Sequence, residues 1–95
     1  MVVNYSGEEF NEIINERVLV DFYANWCGPC KLLSPELEKV SEEIKIVKVD
    51  IDKYSELARS YGVMSIPCLI IFEEGNEVKR NIGFMPEVKI REFIK

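Results

Sequence analysis

Six consecutive residues, Val18-Leu19-Val20-Asp21-Phe22-Tyr23, make a strand-length apolar run with one carboxylate embedded in it. The run lacks the in-and-out alternation of a strand wetted on one side. It reads as a central strand covered on both faces, as the strands of parallel sheets are. Such a strand needs helices above and below it, and the rest of the chain is expected to supply them.

Helix and strand signals alternate along the chain. Val2-Val3 suits a short first strand. Ser6-Gly7-Glu8-Glu9 has the form of a capping box, in which Ser6 and Glu9 satisfy orphan amides reciprocally. Phe10, Ile13 and Ile14 then form one buried helical stripe that ends near Asn15-Glu16-Arg17. After the central strand, Asn25 to Pro29 is a turn. The spacing of Leu33, Leu37, Val40 and Ile44 predicts a second helix, kinked at Pro35. Ile46 to Ile51 is a strand, and Asp52 is expected to cap a third helix with the stripe Tyr54, Leu57, Ala58 and Tyr61 and with Gly62 at C′. Cys68 to Phe72 is a strand. Glu74-Gly75-Asn76 turns the chain into a hairpin partner from Glu77 to Ile82, and Gly83 breaks it. Pro86 suits the first turn of a last helix with Ile90, Phe93 and Ile94 inward. The order β-α-β-α-β-α-β-β-α predicts one α/β domain over residues 1–95. Its three layers, α/β/α, have a central mixed sheet of about five strands flanked by four helices. Early crossovers are parallel, and the late hairpin adds an antiparallel edge.

Charge and composition narrow the chemistry. The net charge of −5 argues against nucleic acid or an anionic membrane as partner, since both call for basic surface. The chain has no histidine, which excludes Ser-His triads, His-ligated zinc and His-paired cysteine nucleophiles. No stretch approaches the roughly 20 apolar residues of a membrane span. The first residues lack the basic and apolar regions of a signal peptide, so a cytoplasmic protein is expected. Three cysteines are an odd number for an extracellular disulfide framework; in a reducing cytosol a paired spacing signals redox or metal chemistry.

That paired spacing is Trp26-Cys27-Gly28-Pro29-Cys30, where the central strand exits into a helix, the end of an open α/β sheet at which sites form. Two cysteines three residues apart in a first helical turn sit within disulfide range. Cys27, at the helix N-terminus, meets unpaired amides and the positive end of the helix dipole, which favour its thiolate. Cys30 lies one turn inside, with a more shielded sulfur. Cys27 is therefore the expected nucleophile and Cys30 the thiol that resolves the mixed disulfide. A zinc site needs a fourth ligand, and only Cys68 remains to help supply one.

Over essentially its whole length the sequence resembles the thioredoxin family. The matching pieces are Val20-Asp21-Phe22-Tyr23-Ala24, WCGPC with Lys31, Pro35, Lys48-Val49-Asp50, Gly62-Val63, Ile66-Pro67, the Glu74-Gly75-Asn76 turn and Gly83. The resemblance implies a thioredoxin fold and a protein-disulfide reductase. No cofactor is implied beyond the redox-active Cys27–Cys30 disulfide, and no metal. Electrons would come from a flavin-dependent thioredoxin reductase, and clients would be disulfide-containing proteins such as reductases and peroxiredoxins, met by a monomer.

The same resemblance gives roles to single residues. Burial raises the proton affinity of Asp21, and the family's matching aspartate accepts the resolving thiol's proton; a salt-bridged aspartate is the plainer reading. Lys48 matches a lysine near that aspartate, or is an ordinary solvated edge lysine. Pro67 matches a cis proline facing the disulfide. With Ile66, Trp26, Gly28, Pro29 and Gly83 it would form a flat apolar dock on which a client segment pairs as an added strand. Two departures stand out: Cys68 follows Pro67 where the family usually has threonine, and Tyr23 stands where many members carry tryptophan. Cys68 reads as a small buried strand residue, or as a third thiol near the site. Gly28-Pro29 between the cysteines, with no histidine, suits a reductant rather than an oxidant. The alternatives are a glutaredoxin-like oxidoreductase, or a thioredoxin-like binding subunit in which redox is incidental.

Overall fold

In the computed structural model, which describes residues 1–95, the elements are β1 (Val2–Asn4), α1 (Phe10–Ile13), β2 (Val18–Tyr23), α2 (Gly28–Glu38), β3 (Lys45–Asp50), α3 (Ser55–Ser60), β4 (Cys68–Glu73), β5 (Asn76–Ile82) and α4 (Glu87–Phe93). The predicted order holds throughout. The five strands form one sheet in the order β1-β3-β2-β4-β5, with β2 at its centre. β1 and β2 run parallel to β3, whereas β4 is antiparallel to both β2 and β5. The antiparallel part is thus wider than a hairpin edge: β4 itself enters reversed, beside the central strand.

β2 alternates between two cores, which is why it reads as continuously apolar. Val18, Val20 and Phe22 join Phe10 and Ile14 from the α1 segment and Ala58 of α3, with Cys68, Ile70 and Phe72 of β4. Leu19 joins Leu33 and Leu37 of α2, Ile90 of α4, and Leu69 and Ile71 of β4 on the other face. Each such side chain removed from water contributes about 1.5–3 kcal/mol. Asp21 shares the second face, two residues on from Leu19 and opposite Leu69 in register.

Several local expectations give way to tertiary contacts. α2 ends at Glu38, and turns carry the chain to β3; Val40 and Ile44 are buried from those turns, not from helix. Pro35 does lie within α2, where it supplies no amide to the preceding turn. The Ser6–Glu9 capping box does not close. Glu8 takes the Ser6 amide at 2.8 Å, and Glu9 caps α1 through the Asn11 amide. Asp52 does not cap α3, whose N-cap is Tyr54 without a side-chain bond. Pro86 is the N-cap of α4, one place before the helix. Gly62 does close α3. At φ 67° it occupies C′, and the amides of Gly62 and Val63 reach the Arg59 and Ala58 carbonyls in a Schellman pattern. No helix is long and apolar enough to cross a membrane.

Candidate active site

The exit of β2 leads into the turn that starts α2, and Cys27 is the N-cap. Its backbone is extended, and its sulfur accepts the Cys30 amide at 3.2 Å. Gly28 and Pro29 fill the first helical turn, where a missing N–H costs nothing. The Cα atoms of Cys27 and Cys30 are 5.2 Å apart and their sulfurs are joined in a disulfide. The sequence predicts a more shielded Cys30, but both residues are only 5% exposed. What separates them is electrostatic. Only Cys27 occupies the cap, where an amide points at its sulfur and the helix dipole favours negative charge.

Asp21 is 1% exposed, and neither carboxylate oxygen has a hydrogen-bond partner. Burial pushes its carboxyl up from the ordinary 3.8 to about 6, against the opposing pull of the Lys48 ammonium. Lys48 stands opposite Asp21 in the β2–β3 ladder. It makes no ion pair with it; its ammonium donates to Ser34 Oγ at 2.8 Å and lies 4.8 Å from the centre of the Tyr23 ring. Cys30, Ser34, Lys48 and Tyr23 line one cleft of about 240 Å³, together with Ala24, Asn25 and Lys31. The half-buried Lys48 therefore belongs to the cleft beside Cys30, and is not a free edge lysine.

The Ile66–Pro67 bond is cis. Ile66 packs against the Cys27–Cys30 cluster, and its own amide and carbonyl enter none of the backbone hydrogen bonds. Gly83, at φ 103°, donates its amide to the Pro67 carbonyl at 2.8 Å, which ties the end of β5 to this loop. Gly28 and Pro29 are exposed. Trp26 is 67% exposed, and its indole N–H donates to Asp52 at 2.9 Å. That bond is where the missing helix cap went: the Asp52 carboxylate faces the tryptophan and not α3.

The structure adds residues that the sequence reading missed. Ser34 accepts from Lys48 and Asp52 accepts from Trp26, each through a single hydrogen bond to a candidate site residue. Met64, 94% exposed, and Phe84, 44% exposed, are large apolar side chains close in sequence to Ile66 and Gly83. The available signal was position alone, next to motif residues.

Cys68 is fully buried in the α1/α3-side core, and burial raises its thiol. It is free, and no three Cys, Asp or Glu side chains are gathered to hold a metal ion. Titration of the oxidised protein with a chromogenic disulfide is expected to find one thiol after unfolding and almost none before. Zero after unfolding would place Cys68 in disulfide exchange.

A sequence model of the family described as Thioredoxin matches residues 1–95. The chain is 47% identical to a thioredoxin of Listeria monocytogenes, covering 99% of this chain and 96% of the relative. It is 41% identical to a thioredoxin of Bacillus subtilis, covering 98% and 94%. Among solved structures, a mutant thioredoxin from Halobacterium salinarum superposes with a TM-score of 0.90 at 35% identity, covering 98% of this chain and 87% of that one.

Proposed function

Because the chain belongs to the thioredoxin family, we propose that its two cysteines divide the work, with Cys27 attacking and Cys30 resolving. As a member it has the thioredoxin fold and is a thiol–disulfide oxidoreductase that reduces protein disulfides through its own cysteine pair, with no separate cofactor. The observation that carries the division of labour is the Cys30 amide directed at the Cys27 sulfur at the helix N-terminus.

The reduced pair begins with Cys27 as thiolate. It attacks one sulfur of a client cystine, forming a mixed disulfide and expelling the other client sulfur as thiolate. Cys30 then gives up its proton, with Asp21 as acceptor, and attacks the Cys27 sulfur. The Cys27–Cys30 bond forms, the second client sulfur leaves, and two electrons have passed to the client. Asp21 suits this task because a carboxylate held near pH 6 is a stronger base than a solvated one, and neither oxygen is otherwise engaged. The unpaired amide and carbonyl of Ile66, beside the exposed Trp26, Gly28 and Pro29, and with Pro67 and Gly83 alongside, support client docking by strand addition. A flavin-dependent thioredoxin reductase returns the pair to dithiol, and reductases and peroxiredoxins are clients of the expected chemistry, in the cytoplasm.

Replacing the resolving thiol tests the order of events. Cys30→Ser is expected to accumulate mixed disulfides with client proteins through Cys27, visible as higher-mass species on non-reducing electrophoresis and lost on adding dithiothreitol. Recovery of free protein alone would mean that Cys27 does not strike first.

A further inference from the structure

Lys48 and Asp21 are direct neighbours in the β2–β3 ladder, on strands about 4.8 Å apart. An ammonium on a four-carbon stem spans that gap easily, and an unpartnered buried carboxylate is a strong attractor. Yet both Asp21 oxygens stay without a partner. The Lys48 ammonium has turned instead to Ser34, one helical turn beyond Cys30 on α2, with Tyr23 beneath it.

We propose that Ser34 is a positioning residue: its hydroxyl holds the Lys48 ammonium at the cleft wall beside Cys30 and keeps it from closing an ion pair with Asp21. The inference deepens the reading of Asp21 as proton acceptor and rests on it for its catalytic meaning. A closed ion pair would hold Asp21 ionised but make it a poor base. With the ammonium held off, burial dominates, and Asp21 can take a proton near neutral pH. The ammonium remains close enough to steady the charge that Asp21 and the cleft exchange. The other titratable groups that feel the Asp21 charge are Tyr23 on its own strand and Cys68 on β4, while Cys30 and Lys31 line the cleft that Lys48 and Ser34 share. Only Lys48 pulls the Asp21 carboxyl downward.

The test follows the Asp21 carboxyl directly, by carbon-13 NMR titration of the oxidised protein, where catalysis plays no part. Ser34→Ala is expected to lower the Asp21 midpoint by about one pH unit, as the released ammonium swings in. Lys48→Met is expected to raise the midpoint, and adding Ser34→Ala to it is expected to move it no further. An unchanged or raised midpoint in Ser34→Ala would overturn the proposal, and so would a full shift that persists without Lys48. Failure of the acceptor reading is separate: it would show as an unaltered pH–rate profile in Asp21→Asn, with the titration of Ser34→Ala still shifted.

Discussion

Cys27→Ser is expected to abolish the acceleration of insulin reduction above the background that dithiothreitol gives alone, because Cys27 is the proposed attacking group and Cys30 lacks its place at the helix cap. The hydroxyl that replaces the thiol does not ionise near neutral pH, so the amide and dipole at the α2 cap have no anion to stabilise. Cys30 cannot stand in easily. It is as buried as Cys27, it lacks the cap position, and it sits one turn inside the helix. Loss of fold does not explain the loss of rate, since Cys27 lies outside both large core clusters on the two faces of the sheet. Circular dichroism of the variant should therefore match the wild type. Substantial residual reduction by Cys27→Ser would make Cys30 the nucleophile and end the proposed order. Binding of clients without reduction in the wild type would instead favour a binding subunit.

The second large effect is on stability, and it comes from the same buried carboxylate that is proposed as the base. Asp21 titrates near 3.8 when unfolded and at about 6 when folded. Below pH 3.8 both states hold the proton and burial costs nothing in charge. Between the two values the folded state holds the proton more tightly, so stability falls as pH rises. Above about 6 both states are ionised and the loss is complete. A gap of about two pH units, at 1.36 kcal/mol each, makes that loss about 3 kcal/mol. Asp21→Asn does not titrate. Its stability relative to wild type should therefore grow by about 3 kcal/mol between about pH 3 and about pH 7, whatever fixed cost the buried amide adds. Urea unfolding of the oxidised proteins at several pH values measures this difference. A difference that stays flat with pH would mean that Asp21 titrates as if exposed. The same variant should resolve mixed disulfides more slowly below pH 8, so that one substitution removes the pH-dependent loss of stability and lowers activity.

The site was legible where chemistry is carried by covalent spacing. Cys27 and Cys30 are three residues apart, and a strand leading into a helix fixes what that spacing does. The carboxylate in an apolar strand was equally plain, because only a buried strand reads as Val18 to Tyr23 does. The Ser6–Glu9 box gave way to bonds two residues long, Ser6 with Glu8 and Asn11 with Glu9, and the Asp52 cap gave way to a partner that only the tertiary structure brings near. For Asp52 that partner is the Trp26 indole, on a loop 26 residues earlier in the chain. The second helix was predicted too long for a similar reason. The apolar period that runs on through Val40 and Ile44 marks burial against the sheet, and turns satisfy it as well as helix does.

Local sequence thus determined the element order, the two-faced central strand and the redox pair, since each depends on neighbours along the chain and on the period of the backbone. Folding in three dimensions decided the reversed β4 beside β2, the meeting of Gly83 with Pro67, and the parking of Lys48 on Ser34 in place of Asp21. Those outcomes join residues 14 or more positions apart. No pattern read along the backbone carries the distances between such groups, and hydrogen bonds and charges act over distance alone.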